Sequence, residues 1–262
     1  MKLFFSLLPL TLLLTTACTD DLDDDVTGEA EQAVSGAQLR TVNCSDLRCD
    51  VPLGDPDTQT CFLIGIRGRL ASGSPSYPAG ANIVGNVLHI LNPSYEHIGV
   101  TTACTNSIGH RLTVTAQLPS LLPFTVPNAT ASQRCFLSGI YNYNSTAFST
   151  PSQSVEVKPT GGTNYILSSL QLGSQVQVSA TCFDATRVDE FSYSNSGSTM
   201  LQKVLSFNPT TGGTVVCGLQ KVQGQFTTTS SNSGVSISYD SLTRYWFEHI
   251  WPDVGSRAFC VN

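Results

Sequence analysis

The cysteine residues recur along this chain in a pattern that restricts its possible folds more than any other feature. The segments 61–66, 135–140 and 217–222 share the pattern Cys-x-Leu-x-x-[Ile/Val], and the opening cysteines lie 74 and 82 residues apart. Each opening is followed 43 to 47 residues later by a closing cysteine, at Cys104, Cys182 and Cys260. Three copies of one unit are the simplest explanation of this self-similarity.

The geometry of antiparallel strands predicts how these cysteines pair. If the first and last strands of a unit lie side by side, the start of one is adjacent to the end of the other, where each unit places its two cysteines. An even number of cysteines in an exported chain is typical of a disulfide framework. The predicted disulfides are Cys61–Cys104, Cys135–Cys182, Cys217–Cys260 and the local pair Cys44–Cys49. A zinc site would need a second close pair beside Cys44 and Cys49, so neither a metal nor a cofactor is expected.

The residues between the cysteines indicate strands and turns. The chain contains 21 Gly and 13 Pro, many Ser and Thr, and no long Ala/Leu/Glu/Lys runs of helical period. We therefore predict an all-β fold of three disulfide-closed antiparallel β repeat units, arranged either in a row or around a pseudo-threefold axis. The predicted segments are a signal peptide (1–17), an acidic tether (18–40), a small disulfide loop (41–60), repeat 1 with a linker (61–134), repeat 2 with a linker (135–216) and repeat 3 (217–262).

The N-terminal segment has the features of an export signal. A charged start at Lys2 precedes a short apolar run over residues 3–14, which is too short for a stable transmembrane helix. The following segment 14–18, Leu-Thr-Thr-Ala-Cys, resembles a bacterial lipobox. This resemblance implies lipidation of Cys18, a membrane partner through that anchor, and a place at the outer membrane or cell surface. Ordinary cleavage after Ala17 would give a secreted protein instead.

The net charge of −6 comes from a local acidic run. Seven acidic residues lie between positions 20 and 31, and 12 acids and 12 bases remain from position 32 onward. A run of like charges with few large apolar residues is expected to be a flexible spacer. Since the chain has no surplus of Lys and Arg, a nucleic-acid partner is excluded, and the neutral body would choose a partner by shape, stacking and hydrogen bonds.

Two further resemblances follow from the sequence. The pattern Cys-Phe-Leu-x-Gly-Ile, followed by a Val-rich strand, an aromatic strand and a Val-x-x-x-Cys closing, resembles Cys-bounded modules of bacterial secreted proteins and of phage-tail or pilus-tip-like proteins. The expected aromatic pair is complete at Tyr245-Trp246 in repeat 3, partial at Tyr165-Ile166 in repeat 2 and replaced by Tyr95-Glu96 in repeat 1. The acidic leader resembles those of myxobacterial secreted lipoproteins. Neither family implies an activity or a catalytic residue.

No common catalytic motif is present in the sequence. There is no His-Glu-x-x-His, Gly-x-Ser-x-Gly or P-loop pattern. Glu248 and His249 are adjacent, but neighbouring residues of a strand point to opposite faces, so the two are not expected to form an acid–base pair. A triad assembled across the fold leaves no spacing signal, and this possibility stays open.

The aromatic cluster over residues 245–251 is the candidate binding site. It holds both tryptophans of the chain, and aromatic rings on a strand stack on sugars or anchor a protein interface. The candidate binding residues are Tyr245, Trp246 and Trp251, with core packing of some of these rings as the alternative. Alternation would place Tyr245, Phe247 and His249 on one face, opposite Trp246 and Glu248.

Together these features predict a non-catalytic cell-surface or secreted lipoprotein. It would act as a binding or adhesion module for a glycan or a protein, and its repeats would multiply weak contacts through effective concentration. The alternative is a structural stalk or assembly component without a soluble ligand. A secreted hydrolase is the function that the sequence supports least.

Overall fold

The computed structural model describes residues 30–34, 37–107, 109, 111–118, 122–125, 133–161, 163–170, 172, 175–207, 215–227 and 233–262. The predicted signal peptide, Cys18 and most of the acidic segment lie outside these residues. No helix within the described ranges is long and apolar enough to cross a membrane.

Strands make up nearly all of the regular structure of the described residues, with one 3-10 turn at Leu70–Ser72. The strands are β1 (Ala30–Val34), β2 (Ala37–Cys44), β3 (Arg48–Pro52), β4 (Thr60–Gly68), β5 (Ala79–Val84), β6 (Val87–Leu91), β7 (Ile98–Thr105), β8 (Leu112–Leu118), β9 (Leu122–Thr125), β10 (Gln133–Asn142), β11 (Ser154–Gly161), β12 (Asn164–Leu170), β13 (Val176–Asp184), β14 (Arg187–Asn195), β15 (Leu201–Phe207), β16 (Val216–Gly224), β17 (Gly234–Asp240), β18 (Tyr245–Ile250) and β19 (Val254–Val261). The all-β prediction is confirmed.

These strands form three antiparallel sheets. Sheet A has the order β1-β2-β7-β4-β17-β18-β15, sheet B the order β3-β6-β5-β10-β13-β8, and sheet C the order β14-β19-β16-β11-β12-β9. In each sheet, the first and last strands of one Cys-bounded unit pair with each other, and the first strand also pairs with the middle hairpin of another unit. Units 1, 2 and 3 therefore exchange hairpins in a cycle, which is a pseudo-threefold arrangement and not a row.

All four predicted disulfides are present. In the strand register, Cys61 is directly opposite Cys104, Cys135 opposite Cys182, and Cys217 opposite Cys260. Each of these strand pairs has a bulge three residues after its opening cysteine, at Ile64, Ser138 and Gln220. The same irregularity at the same place in all three units shows that the repeat extends to backbone detail.

The repeats begin two strands earlier than the sequence predicted. The linkers predicted at the ends of segments 61–134 and 135–216 coincide with β8, β9, β14 and β15, which extend the sheets. The 41–60 segment contributes β3 and part of β2 in the same way. Each repeat thus has six strands, β2–β7, β8–β13 and β14–β19. Apart from β2, which β1 covers, the added strands lie at sheet edges, where packing constrains side chains less.

The predicted tether is also shorter than expected. Residues 37–40 belong to β2, which pairs with β7 along its full length, and residues 30–34 form β1 beside it. The apolar side chains of Ala37 and Leu39 are buried in the core. Because this alternating segment follows the acidic run directly, the charge pattern concealed where the folded body starts.

The core is centred on the opening strands of the three units. β4, β10 and β16 contact one another. Apart from one half-buried residue in β4, one in β10 and two in β16, they are buried along both faces, which is why their sequences lack alternation. The residues after the opening cysteines meet here: Phe62 and Phe136 stack with ring centroids 4.6 Å apart. The third such residue is Gly218, where a Cβ would lie 2.4 Å from Phe136. The rings of Phe62 and Phe136 therefore occupy the space that a side chain at position 218 would need.

Candidate functional site

The outer face of sheet A carries a groove of about 400 Å³. It lies across β2, β7, β4, β17 and β18, and cavities of this size are typical of small-ligand sites. Its polar lining consists of Thr41, Arg67, Thr101, Ser236, Ser238 and His249. Its apolar lining includes Leu39, Met200 and Trp251.

Alternation along β18 sets one wall of this groove. Trp246, Glu248 and Ile250 are fully buried, whereas Phe247 and His249 are half-buried and Tyr245 is exposed. This confirms the predicted division of the strand into two faces. Since β18 pairs with β17 on one side and with the edge strand β15 on the other, its outward residues lie one strand in from the edge of the sheet.

Trp251 is the predicted binding residue that lies in the groove. Its ring is half-buried, and the Arg67 guanidinium lies over it with Cζ 5.7 Å from the ring centroid. Its backbone N–H donates to the Gly234 carbonyl at 3.0 Å, which fixes the residue just after β18. A held aromatic ring loses little further freedom when a ligand stacks on it.

Trp246 does not belong to the site, and its prediction as a binding residue is wrong. It is fully buried, and its indole Nε1–H donates to the Val215 carbonyl at 3.0 Å. The register places Trp246 in the same position as Asn86 and Tyr165 of the other repeats. Those residues also donate to the carbonyl two residues before the opening cysteine. Trp246 is therefore part of the repeated framework. Its counterparts are Asn86 in repeat 1 and Tyr165 in repeat 2, not Glu96 and Ile166 as the sequence alignment of the aromatic pairs predicted.

Tyr245 lies on the same outer face as the groove, at the other end of β18. It is 38% exposed, and its ring centroid is 6.3 Å from that of Phe247. At about 3.3 Å per residue, Tyr245 and Trp251 are separated by about 20 Å along the strand. Of the three predicted binding residues, Tyr245 and Trp251 thus lie at opposite ends of the outer surface of β18, and Trp246 lies in the core.

Ser238 and His249 form a hydrogen-bonded pair in the groove. The Ser238 Oγ lies 2.9 Å from His249 Nε2. Burial lowers the pKa of His249, and the nearby positive charge of Arg67 lowers it further, so the imidazole is neutral at pH 7. Nucleophilic catalysis by a serine uses a third group that orients the imidazole and stabilises its protonated form. None of the residues lining this groove is acidic, and Arg67 opposes protonation, so the pair is suited to hydrogen bonding with a ligand.

The equivalent faces of sheets B and C have different chemistry. Sheet B has Tyr141 at the Arg67 position, and its His89 is paired with Asp50 at 2.7 Å. Sheet C carries a closed set of ion pairs in which Glu156 lies 3.5 Å from Lys158 and 3.9 Å from Arg257. The three faces have the same backbone geometry but different side chains, so the repeats do not provide three copies of one site.

Comparison with known proteins does not assign this chain to a family. It matches no protein-family model and no curated protein. The function is therefore inferred from the groove on sheet A.

Proposed function

We propose that this protein is a non-catalytic binding module whose ligand is a saccharide held on the outer face of sheet A. The observation that carries this proposal is the half-buried Trp251 ring, which packs against the Arg67 guanidinium in a groove whose polar lining is otherwise hydroxyl groups and an imidazole.

A sugar ring has an apolar face of C–H groups and a polar edge of hydroxyl groups. The flat Trp251 indole offers apolar contact area to the first. Ser236, Ser238, Thr41 and His249 offer hydrogen-bond donors and acceptors to the second. Because these groups lie on paired strands of one sheet, their positions are set before the ligand arrives.

The site has room for more than one sugar ring. Phe247 and Tyr245 continue the aromatic surface along β18 beyond His249. An extended ligand that follows the strand would contact Trp251 at one end and Tyr245 at the other. A linear oligosaccharide suits this surface better than a compact monosaccharide.

The proposed stoichiometry is one ligand per chain. Multivalent binding by equivalent repeats would need an aromatic residue that matches Trp251 on each face. The residues equivalent to Trp251 are Leu91 in repeat 1 and Leu170 in repeat 2. The pseudo-threefold symmetry thus provides the scaffold, and the binding residues are particular to sheet A.

The N-terminal part of the proposal concerns location. Lipidation of Cys18 would attach the folded body to a membrane. Each methylene group of the acyl chains that inserts into the bilayer would contribute about 0.8 kcal/mol to membrane binding. The acidic residues that follow would hold the groove away from the membrane surface. Mass spectrometry of the mature protein tests this: a diacylglyceryl adduct on Cys18 supports it, and an unmodified chain that starts at Cys18 contradicts it.

Saccharide binding is tested by calorimetric titration across a panel of neutral and acidic oligosaccharides. Trp251→Ala should weaken binding about 10-fold or more without changing the unfolding midpoint. Tyr77→Ala is the matched control, since Tyr77 is an aromatic residue that is 60% exposed outside the groove. Binding that is equally strong in both variants would contradict the proposal, as would hydrolysis products that disappear in Ser238→Ala.

A further inference from the structure

We propose that the groove selects a saccharide carrying an anionic group, carboxylate or sulfate, and that Arg67 binds this group. The inference rests on the proposed function, because it assigns the chemical class of the ligand at the same site.

Arg67 is a half-buried cation without a carboxylate partner among the described residues. Its Nη2–H donates to Asn43 Oδ1 at 3.4 Å, and its other described contact is the Trp251 ring. Other arginines of this protein reach acids: Arg48 lies 2.8 Å from Asp50 and Arg69 lies 3.1 Å from Glu96. Burying a charge without a counter-ion is unfavourable, and burial indeed lowers the pKa of Arg67.

The sheet is shaped to accept the Arg67 side chain. In the strand register, Arg67 is flanked by Gly99 on β7 and Gly234 on β17. A Cβ at Gly99 would lie 3.2 Å from both Nε and Nη2 of Arg67, and one at Gly234 would lie 2.7 Å from its Cγ. The two glycines therefore leave the space in which the guanidinium lies down against the sheet beside Trp251.

The guanidinium has donors to spare for a ligand. It carries five N–H donors in a planar fork that matches the two oxygens of a carboxylate, or two oxygens of a sulfate. One of these donors goes to Asn43. Since the groove lining contains no acidic residue, an anion that enters meets no like charge there.

The other two faces differ in this respect. The positions that correspond to Arg67 are Tyr141 on sheet B and Gln223 on sheet C, both neutral. The cation Arg257 of sheet C lies 3.5 Å from Glu190 and 3.9 Å from Glu156. Selection for an anionic ligand is thus a property of sheet A.

The test compares oligomers that differ only in charge. Oligouronates of galacturonic, glucuronic and mannuronic acid are titrated beside their methyl esters, which keep the sugar rings and remove the charge. The wild-type protein should bind at least one free acid 10-fold or more tightly than its ester. A sulfated oligosaccharide with its desulfated form serves as a second pair and distinguishes sulfate from carboxylate as the source of the anion.

Arg67→Gln separates the two proposals. Glutamine is the residue at the equivalent position of repeat 3, so the fold should tolerate it. This variant should lose the preference for the acid while still binding the ester, whereas Trp251→Ala should lose both. If every ester binds as tightly as its acid, the anion inference is wrong and saccharide binding stands. If no oligosaccharide binds, the proposed function fails.

Discussion

Replacing Glu248 with glutamine should make the free energy of unfolding less dependent on pH. The Glu248 side chain is fully buried. Its Oε1 accepts a hydrogen bond from the Ser256 hydroxyl, and Oε2 has no hydrogen-bond partner among the described residues. Burial raises the pKa of Glu248 to about 7, against the lowering effect of the Ser256 hydrogen bond.

The sign and size of the effect follow from that shift. Below about pH 4.5 the carboxyl is protonated in both the folded and the unfolded chain. As the pH rises towards 7, the unfolded chain loses this proton while the folded protein keeps it, so wild-type stability falls by 1.36 kcal/mol per pH unit. From the ordinary value of 4.5 to about 7, the loss is about 3 kcal/mol.

Urea unfolding at pH 4.5 and pH 8, with the disulfides intact, measures this effect. Glu248→Gln should gain about 3 kcal/mol relative to wild type between the two pH values. Glu96→Gln is the matched control, because Glu96 is a half-buried surface carboxylate paired with Arg69, and its loss should change stability by less than about 1 kcal/mol. A Glu248→Gln effect that is the same at both pH values would refute the reasoning.

The other repeats suggest a second variant at this position. The register places Glu248 where repeats 1 and 2 have the buried residues Leu88 and Leu167. Ser256 likewise stands where they have Val100 and Val178. Replacing a buried polar pair with apolar residues of similar volume is often stabilising, so Glu248→Leu with Ser256→Val should raise the unfolding midpoint at pH 8.

Three further perturbations test the scaffold. Trp246→Ala should lower the free energy of unfolding by about 3–5 kcal/mol in urea titrations, and an unchanged midpoint would contradict its place in the core. Gly218→Ala should lower the free energy of unfolding by about 1–3 kcal/mol, because its Cβ would lie 2.4 Å from Phe136. A stabilised variant would contradict this close packing of Phe136 against Gly218. Cys135→Ser with Cys182→Ser opens a loop with a separation of 47 residues and should cost about 4 kcal/mol in thermal unfolding, whereas an unchanged midpoint would argue against that disulfide.

The cysteine pairing and the face assignment of β18 could be predicted from the sequence. Both depend on local rules: antiparallel neighbours bring the start of one strand to the end of another, and side chains alternate. The hairpin exchange between repeats could not be predicted in this way. The same local pattern fits a hairpin that pairs with its own unit or with another, and only contacts between residues far apart in the chain distinguish the two.

The functional residues were only partly predictable for a related reason. Trp246 and Trp251 have similar sequence contexts, and alternation separates them, but the sequence does not show which face is covered by another sheet. Arg67 was missed because an arginine after a buried strand segment carries no motif. Its significance comes from Gly99 and Gly234, which are far from it in the chain and adjacent to it in the sheet.

The most direct test of the proposed site uses the two indole N–H signals of the ¹⁵N-labelled protein. The chain has two tryptophans, one in the groove and one hydrogen-bonded to the Val215 carbonyl in the core. During titration with a bound oligosaccharide, the Trp251 signal should shift in proportion to occupancy while the Trp246 signal stays in place. Saturable binding that leaves the Trp251 signal unmoved would contradict the assignment of the groove on sheet A as the binding site.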